Sequence, residues 1–480
     1  MNYNTVIGLE VHLQLLTITK AFCGCSTKFG QKPNSQTCPV CLGLPGSLPV
    51  LNEQAFLFAV KVALALNCKI RSLIKFDRKN YYYPDLPKNY QISQYDMPLS
   101  YDGFVDIPAD GAKLPKRVRI LRVHLEEDAG KLIHPEGEEY SLVDLNRTGV
   151  PLLEIVTEPD MNSPQEAYDY LTKLKSILEY LKVSDCDMEK GSLRCDANIS
   201  IRPKGESKLG TKVELKNMNT FKGVRSSLEY EVKRQTSAVM DGEKLIQETR
   251  LWDADKLVTI PMRNKEEATD YRYFPEPDLV PFIVDGSLIE KIKNDLPELP
   301  EAKINRFIKD FDLSKYDSNV LASQSELAEY FEKCAKIYEK KKTIANWIMG
   351  DIMAYLNTNG LAPADLGVSP EGLVALLKMI DEGTVSGKMA KEILAEAIKT
   401  KVSPEEIVAN KGLSQINDSG KLEEVVALVV SKNKKSVNDY KLGKKNALGY
   451  LVGQIMKETN GAANPEMVNR ILKKILAAMN

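Results

Sequence analysis

Period-two alternation in the first half of the chain constrains the fold more than any other feature. Ile7 to Leu15 sends Ile7, Leu9, Val11, Leu13 and Leu15 one way and Gly8, Glu10, His12 and Gln14 the other. Leu193 to Arg202 does the same, with Arg194, Asp196, Asn198, Ser200 and Arg202 on its polar side. Arg119 to Asp128 groups Arg122, His124 and Glu126, and Lys212 to Asn217 groups Glu214 with Lys216. Such alternation marks half-buried strands, and a strand with one polar face predicts antiparallel pairing. Helical periodicity over Gln54–Leu66 and Pro164–Leu181 adds helices to the strands.

The pattern changes after the proline cluster Pro275, Pro277, Pro281, Pro297 and Pro300, which predicts a boundary. Helices are predicted beyond it, over Leu327–Tyr338, over Thr343–Leu356 and after Ser369, with a break near residues 403–412. The fold class is therefore α+β. A mainly antiparallel domain, residues 1–292, precedes two all-helical domains, 293–405 and 406–480. With 43% hydrophobic residues the chain can bury a core. Its 65 basic and 66 acidic residues nearly cancel, which excludes a uniformly basic nucleic-acid binder. Residues 431–480 nevertheless carry ten Lys/Arg against three Asp/Glu. No apolar run approaches the roughly 18 residues of a membrane span. Met1-Asn2-Tyr3-Asn4 opens no secretory signal, so a cytoplasmic location is expected.

Cys23-Gly-Cys25 and Cys38-Pro-Val-Cys41 form two close pairs across a short loop. Four thiolates so spaced can converge on one tetrahedral zinc, in a closed site whose role is structural. Lys20, Lys28 and Lys32 stand near to offset its charge. A redox pair at Cys38 and Cys41, or four free thiols, are the alternatives; the first lacks the preceding strand that a thioredoxin-like motif needs.

Acids recur on the strands. Glu154 is a lone carboxylate within the apolar run Pro151–Thr157, and burying it without a partner is expensive. Glu126, Glu127 and Asp128 are adjacent and repel unless a cation relieves them. A solvated face with cross-strand ion pairs explains any one strand alone. Together the strands suggest a concave face of Glu, His, Asp, Arg and Asn that holds Mg²⁺ and a nucleotide. Glutamine-synthetase-like active sites are built in this way. The segment Asp77–Gln94, expected as a loop, offers Arg78, Lys79 and Lys88 to anions and Tyr81 to Tyr83 for stacking, unless it is ordinary surface. Gly383 to Met389 imitates a phosphate loop but lacks one residue between its glycines and carries Met389 where a hydroxyl is needed, so it predicts a helix entry. Three histidines and no Gly-x-Ser-x-Gly elbow leave little room for a hydrolase.

Six motifs carry a resemblance. Val6-Ile-Gly-Leu-Glu-Val-His-Leu-Gln14, Phe76-Asp-Arg-Lys-Asn-Tyr81, Tyr90-Gln-Ile-Ser-Gln94, Leu125-Glu-Glu-Asp-Ala-Gly-Lys131, Gly191-Ser-Leu-Arg-Cys-Asp-Ala-Asn198 and Asp270-Tyr-Arg-Tyr-Phe-Pro-Glu-Pro-Asp278 occur in that order. The chain resembles, over its whole length, the B-subunit family of the tRNA-dependent amidotransferases. The resemblance implies a cradle domain, a helical domain and a YqeY-like tail. It implies a heterotrimer with an amidase A subunit and a small C subunit, ammonia being channelled from the amidase to this chain. There ATP would phosphorylate the side-chain carboxylate of Glu or Asp mischarged on tRNA(Gln) or tRNA(Asn), and ammonia would displace the phosphate. It assigns Mg²⁺ to His12, Glu127 and Glu154, with Glu10 and Glu126 close by. Lys79, Arg194, Asp196 and Asn198 would line the cofactor pocket. The basic tail, with Lys432, Lys434, Lys435, Lys441, Lys444, Lys445, Lys473 and Lys474, would contact tRNA, although a solvated lysine face is the bland alternative. Two competing functions are a non-catalytic tRNA-binding protein with a zinc knuckle, and a glutamine-dependent ligase acting on a free small acid. Glu154 in its apolar strand argues against the first, because a pure binder has no use for it.

Overall fold

The computed structural model describes residues 3–108, 114–135, 137–262, 271–411, 419–442, 444–459, 463 and 465–479. Two compact units divide the chain, Met1–Pro300 and Glu301–Asn480.

A nine-stranded sheet organises the first unit. Its order is Val258–Pro261, Glu248–Asp253, Val213–Lys216, Leu193–Pro203, Tyr3–Gln14, Pro151–Thr157, Lys116–Glu127, Ser100–Ile107 and Lys69–Ile70. Neighbours run antiparallel except Val213–Lys216 against Glu248–Asp253. The apolar side of the central strands, with Ile7, Leu9, Val11, Leu13, Leu153 and Ile155, forms one core with the helices Glu53–Ala65, Pro164–Leu181 and Phe221–Met240. Helices cover one face, which leaves the other to polar side chains.

Local chemistry fixes the helix ends. Asn52 accepts a hydrogen bond from the Ala55 N–H, and Ser163 accepts one from Glu166 ahead of Pro164 at the first helical position. The 20-residue helix Phe221–Met240 has no clear apolar stripe in the sequence, because Ser227, Glu231 and Gln235 occupy buried positions on its inner side. Asp77–Gln94, expected as a loop, contains a hairpin of Asp77–Asn80 with Tyr90–Ser93. Phe274–Pro275 adds a third strand beside Asp77 and Arg78. Strands this short carry too little alternation to be recognised.

The first unit ends at Pro300, the last proline of the cluster. Helix Gly286–Asn294 packs Leu288, Ile289 and Ile292 on the first core. The second unit is helical and holds two apolar cores, one from Ile304 to Ile407 and one from Leu422 to Leu476. Helices Ser325–Ile337 and Pro370–Asp381 fall where the sequence predicts them. The predicted helix Thr343–Leu356 is interrupted by a π-turn, Ile348–Ile352. Ser386 caps Gly387–Thr400 by accepting from the Met389 N–H, so the phosphate-loop imitation is a helix entry. Of the predicted break near 403–412, residues 404–411 are helical instead, held by Ile407 in the core. Residue 412 lies outside the described residues, as do Asp270 of the last motif and the side chain of Lys445.

Candidate active site

The polar face of the sheet is a grid, because residues directly opposite in an antiparallel pair point to the same side. One cross-strand row reads His124, Glu154, His12 and Arg194. On one flank lie Arg122, Val156, Glu10 and Asp196; on the other, Glu126 stands level with Leu152 and Gln14.

Four of these side chains meet. His12 Nε2 lies 3.7 Å from Glu154 Oε2 and 3.9 Å from Glu126 Oε1. His124 Nε2 lies 3.3 Å from Glu154 Oε2 and 3.5 Å from Glu126 Oε2. His12 retains 21% of its side-chain exposure against 3% for Glu126, so His12 stands at the mouth. Burial opposes charge on every member, and their mutual pairing overrides it. Burial lowers both imidazoles, yet the adjacent Glu154 and Glu126 carboxylates raise them, His124 to about 9. Burial raises both carboxyls, yet the imidazoles hold them below the ordinary glutamate range, Glu154 well below it.

The hairpin Asp77–Asn80/Tyr90–Ser93 braces this cluster. Ser93 Oγ donates to Glu126 Oε2 at 3.0 Å, and the Gln94 side-chain oxygen accepts from the Leu125 N–H at 2.9 Å. Burial lowers Lys79, but the charges of Glu126 and Glu154 raise it above the ordinary lysine value. Its ammonium also lies 4.8 Å from the centre of the Tyr271 ring.

The side chains that meet differ from the expected magnesium set. His12, Glu126 and Glu154 each bring a donor atom within 4.8 Å of the others, and Glu127 is not among them. Alternation is the reason. Glu126 shares a face with His124, and Glu127 turns the other way. There it pairs with Lys88 and accepts from the Ile92 N–H at 2.9 Å. Glu10 lies in the flanking row and accepts from Asn198 Nδ2 at 2.8 Å. Arg194 pairs with Asp128 at 3.0 Å, and Asp196 with Lys216 at 2.7 Å. His124 was not among the expected site residues, although its alternation with Glu126 put it on the same face.

One imidazole nitrogen and two carboxylates within this span fit a divalent ion, whose bonds of about 2.0–2.6 Å draw donors together with small rotations. An oxygen-rich set suits Mg²⁺.

The four cysteines Cys23, Cys25, Cys38 and Cys41 also converge, with Sγ atoms within 4.8 Å of one another and no disulfide between them. The Cys23 thiol beside it draws Cys41 down to about 5, against burial, and the Cys38 backbone and Lys20 assist. Burial pushes Cys25 up to about 11. Lys20 is fully buried, with Nζ 3.8 Å from Cys41 Sγ and 2.7 Å from the Gln36 carbonyl. Such a donor set fits zinc, and the lysine offsets part of the thiolate charge. A cavity of about 260 Å³ lies beside Cys23, Cys41, Arg78, Lys88 and Glu127.

Comparison with known proteins adds independent information. Residues 5–290 match the GatB/GatE catalytic domain family, and residues 329–476 match the GatB domain family. A protein of Caldanaerobacter subterraneus, named as the B subunit of aspartyl/glutamyl-tRNA(Asn/Gln) amidotransferase, is 55% identical over 477 residues, covering 99% of this chain and 100% of that protein. Proteins of the same name from Carboxydothermus hydrogenoformans and Brevibacillus brevis are 55% and 52% identical, each covering 99% of both chains.

Proposed function

The chain belongs to the GatB family, and from that premise we propose that it is the B subunit of a glutamine-dependent, tRNA-dependent amidotransferase. Its substrate in this reading is Glu or Asp mischarged on tRNA(Gln) or tRNA(Asn). ATP phosphorylates the side-chain carboxylate, and ammonia released by an amidase A subunit displaces the phosphate; a small C subunit completes the heterotrimer. A carboxylate is a poor acyl donor, and phosphorylation gives it a leaving group. The observation that carries the reading is the His12–Glu126–Glu154–His124 cluster, two carboxylates and two imidazoles on a braced sheet face.

His12, Glu126 and Glu154 would hold Mg²⁺, which when bound neutralises charge on the transferring phosphoryl group. His124 fixes Glu126 and Glu154 from the side away from the mouth. Lys79 adds positive charge beside them. Glu10, Arg194, Asp196 and Asn198 line the flank of the pocket, and Glu127 anchors the bracing hairpin through Lys88. The knuckle at Cys23–Cys41 would take zinc as a structural centre. The tail would contact tRNA phosphates. Its Lys432, Lys444 and Lys474 make only exposed ion pairs, which are weak and leave them available. No described helix is long and apolar enough to cross a membrane.

The test is amidation of mischarged tRNA by the purified three-subunit complex. Glu154→Ala should lower kcat by at least about a hundredfold, because it removes one of two buried carboxylates. Full activity in that variant would refute the assignment. A pure tRNA binder is disfavoured, since it gains nothing from burying Glu126 and Glu154 together.

A further inference from the structure

Most cations around the polar sheet face have an acidic partner. Arg194 pairs with Asp128, Lys216 with Asp196 and Glu214, and Lys88 with Glu127. Two do not. Among the described residues, neither Lys79 nor Arg122 has a carboxylate within ion-pair distance.

Arg122 belongs to the Lys116–Glu127 strand, two residues before His124 and on the same face, with Val156 opposite it. Val156 separates it from Glu10, which lies beyond on the next strand, so the pair that the row suggests does not form. The Nε atom of Arg122 is closed to solvent and has no hydrogen-bond partner. A buried guanidinium donor without an acceptor is unfavourable, and such a group in a native structure calls for an explanation. The Tyr273 phenol marks where these charges meet. Burial raises it, the charges of Lys79 and Arg122 lower it, and those of Glu126 and Glu154 raise it. By strand register Arg122 stands on the same face as the acid–imidazole cluster, in the row that flanks it. With a divalent ion held by the cluster, this part of the face would carry an excess of positive charge, which suits an anion.

We propose that Arg122, together with Lys79, binds the phosphoryl oxygens of a nucleotide beside the His12–Glu126–Glu154 cluster. A planar guanidinium presents two parallel N–H groups that match a pair of phosphate oxygens, and the lysine acts as a point charge. The inference rests on the phosphoryl transfer proposed above and names the residue that grips the transferred group.

Calorimetry of the full chain with Mg²⁺ tests it, using ADP and inorganic pyrophosphate as probes. Arg122→Gln should weaken both by about tenfold or more, and Arg122→Lys should fall between, since it keeps the charge and loses the fork. Arg225→Gln, on the helix that covers the other face, should bind as wild type does. Unchanged affinity for both probes in Arg122→Gln overturns the inference, as does a wild-type chain that binds neither. If the glutamine variant fails to fold, the lysine variant decides: full affinity there excludes the fork. Amidation by the assembled complex is a separate arm. Loss of probe binding in a protein that never amidates leaves this inference standing and removes the function. Normal amidation by Arg122→Gln with a wild-type KM for ATP does the reverse.

Discussion

Glu126 and Glu231 are both buried carboxylates, and they are held for different reasons. Glu231 accepts from Arg234 at 2.8 and 2.9 Å, from Gln235 at 2.9 Å and from Thr259 at 2.5 Å, with Arg250 at 3.3 Å. Burial raises its pKa, but these partners outweigh burial and hold it below the ordinary 4.5. Every acceptor site is filled, so the group fastens Phe221–Met240 to Glu248–Asp253 and Val258–Pro261. A depressed carboxyl contributes stability that is present above pH 4.5 and lost as pH falls through the lower folded value. Glu231→Gln should cost about 3 kcal/mol at pH 7, and its gap from wild type should narrow below pH 4.5. Urea unfolding followed by the buried Trp252, in a Trp347→Phe background, reads this unit alone. Glu126, by contrast, faces imidazoles and an ammonium. Glu126→Gln should raise the Mg²⁺ concentration for half-maximal amidation by about tenfold or more, whereas Glu127→Gln should leave it unchanged. Equal Mg²⁺ dependence in the two variants would refute the division between them. Sequence reasoning reached Glu154 because a lone acid in an apolar run signals itself. The resemblance puts Glu127 in the magnesium set, whereas strand alternation puts Glu126 and His124 on the face where they meet His12 and Glu154.

At the scale of elements, long periodic segments were legible and short or polar-faced ones were not. Tyr3–Gln14 and Leu193–Pro203 pair over 11 positions, a length at which alternation is unmistakable. The bracing hairpin has four-residue strands, and its Asp77, Gln91 and Ser93 are buried polar residues that read as loop. Helix Phe221–Met240 was concealed by its buried Glu231 and Gln235. Packing also fixes one strand edge that composition cannot reveal. A Cβ on Gly103 would lie 2.3 Å from Cys68 Sγ and 2.8 Å from the Leu66 carbonyl, at the end of helix Glu53–Ala65. Gly103→Ala should therefore destabilise the first unit by about 1–3 kcal/mol, measured by the same Trp252 signal. A neutral substitution would mean that the strand and the helix end shift together.

At the scale of the whole molecule, three separate cores accompany an uneven charge distribution. The change to helices after the prolines was legible: the first unit ends at Pro300, and Gly286–Asn294, which lies among the prolines, packs on the first core. In the proposed function the last 50 residues, with ten basic and three acidic side chains, would bear on the RNA rather than on the chemistry. Removing residues from 412 onward should raise KM for tRNA, flatten its dependence on salt, and leave glutamine hydrolysis by the complex intact. An unchanged salt slope would place the RNA contact elsewhere. The row His124–Glu154–His12–Arg194 has one further consequence. Its members are scattered from position 12 to position 194, so no local stretch of chain prefigures them. During translation a nascent polypeptide that has not yet emerged past Thr157 cannot assemble the His12–Glu126–Glu154–His124 cluster, and pairing shifted by a single residue would turn the imidazoles inward among oily side chains. Folding errors in this protein should therefore yield inert molecules rather than enzymes of altered substrate choice.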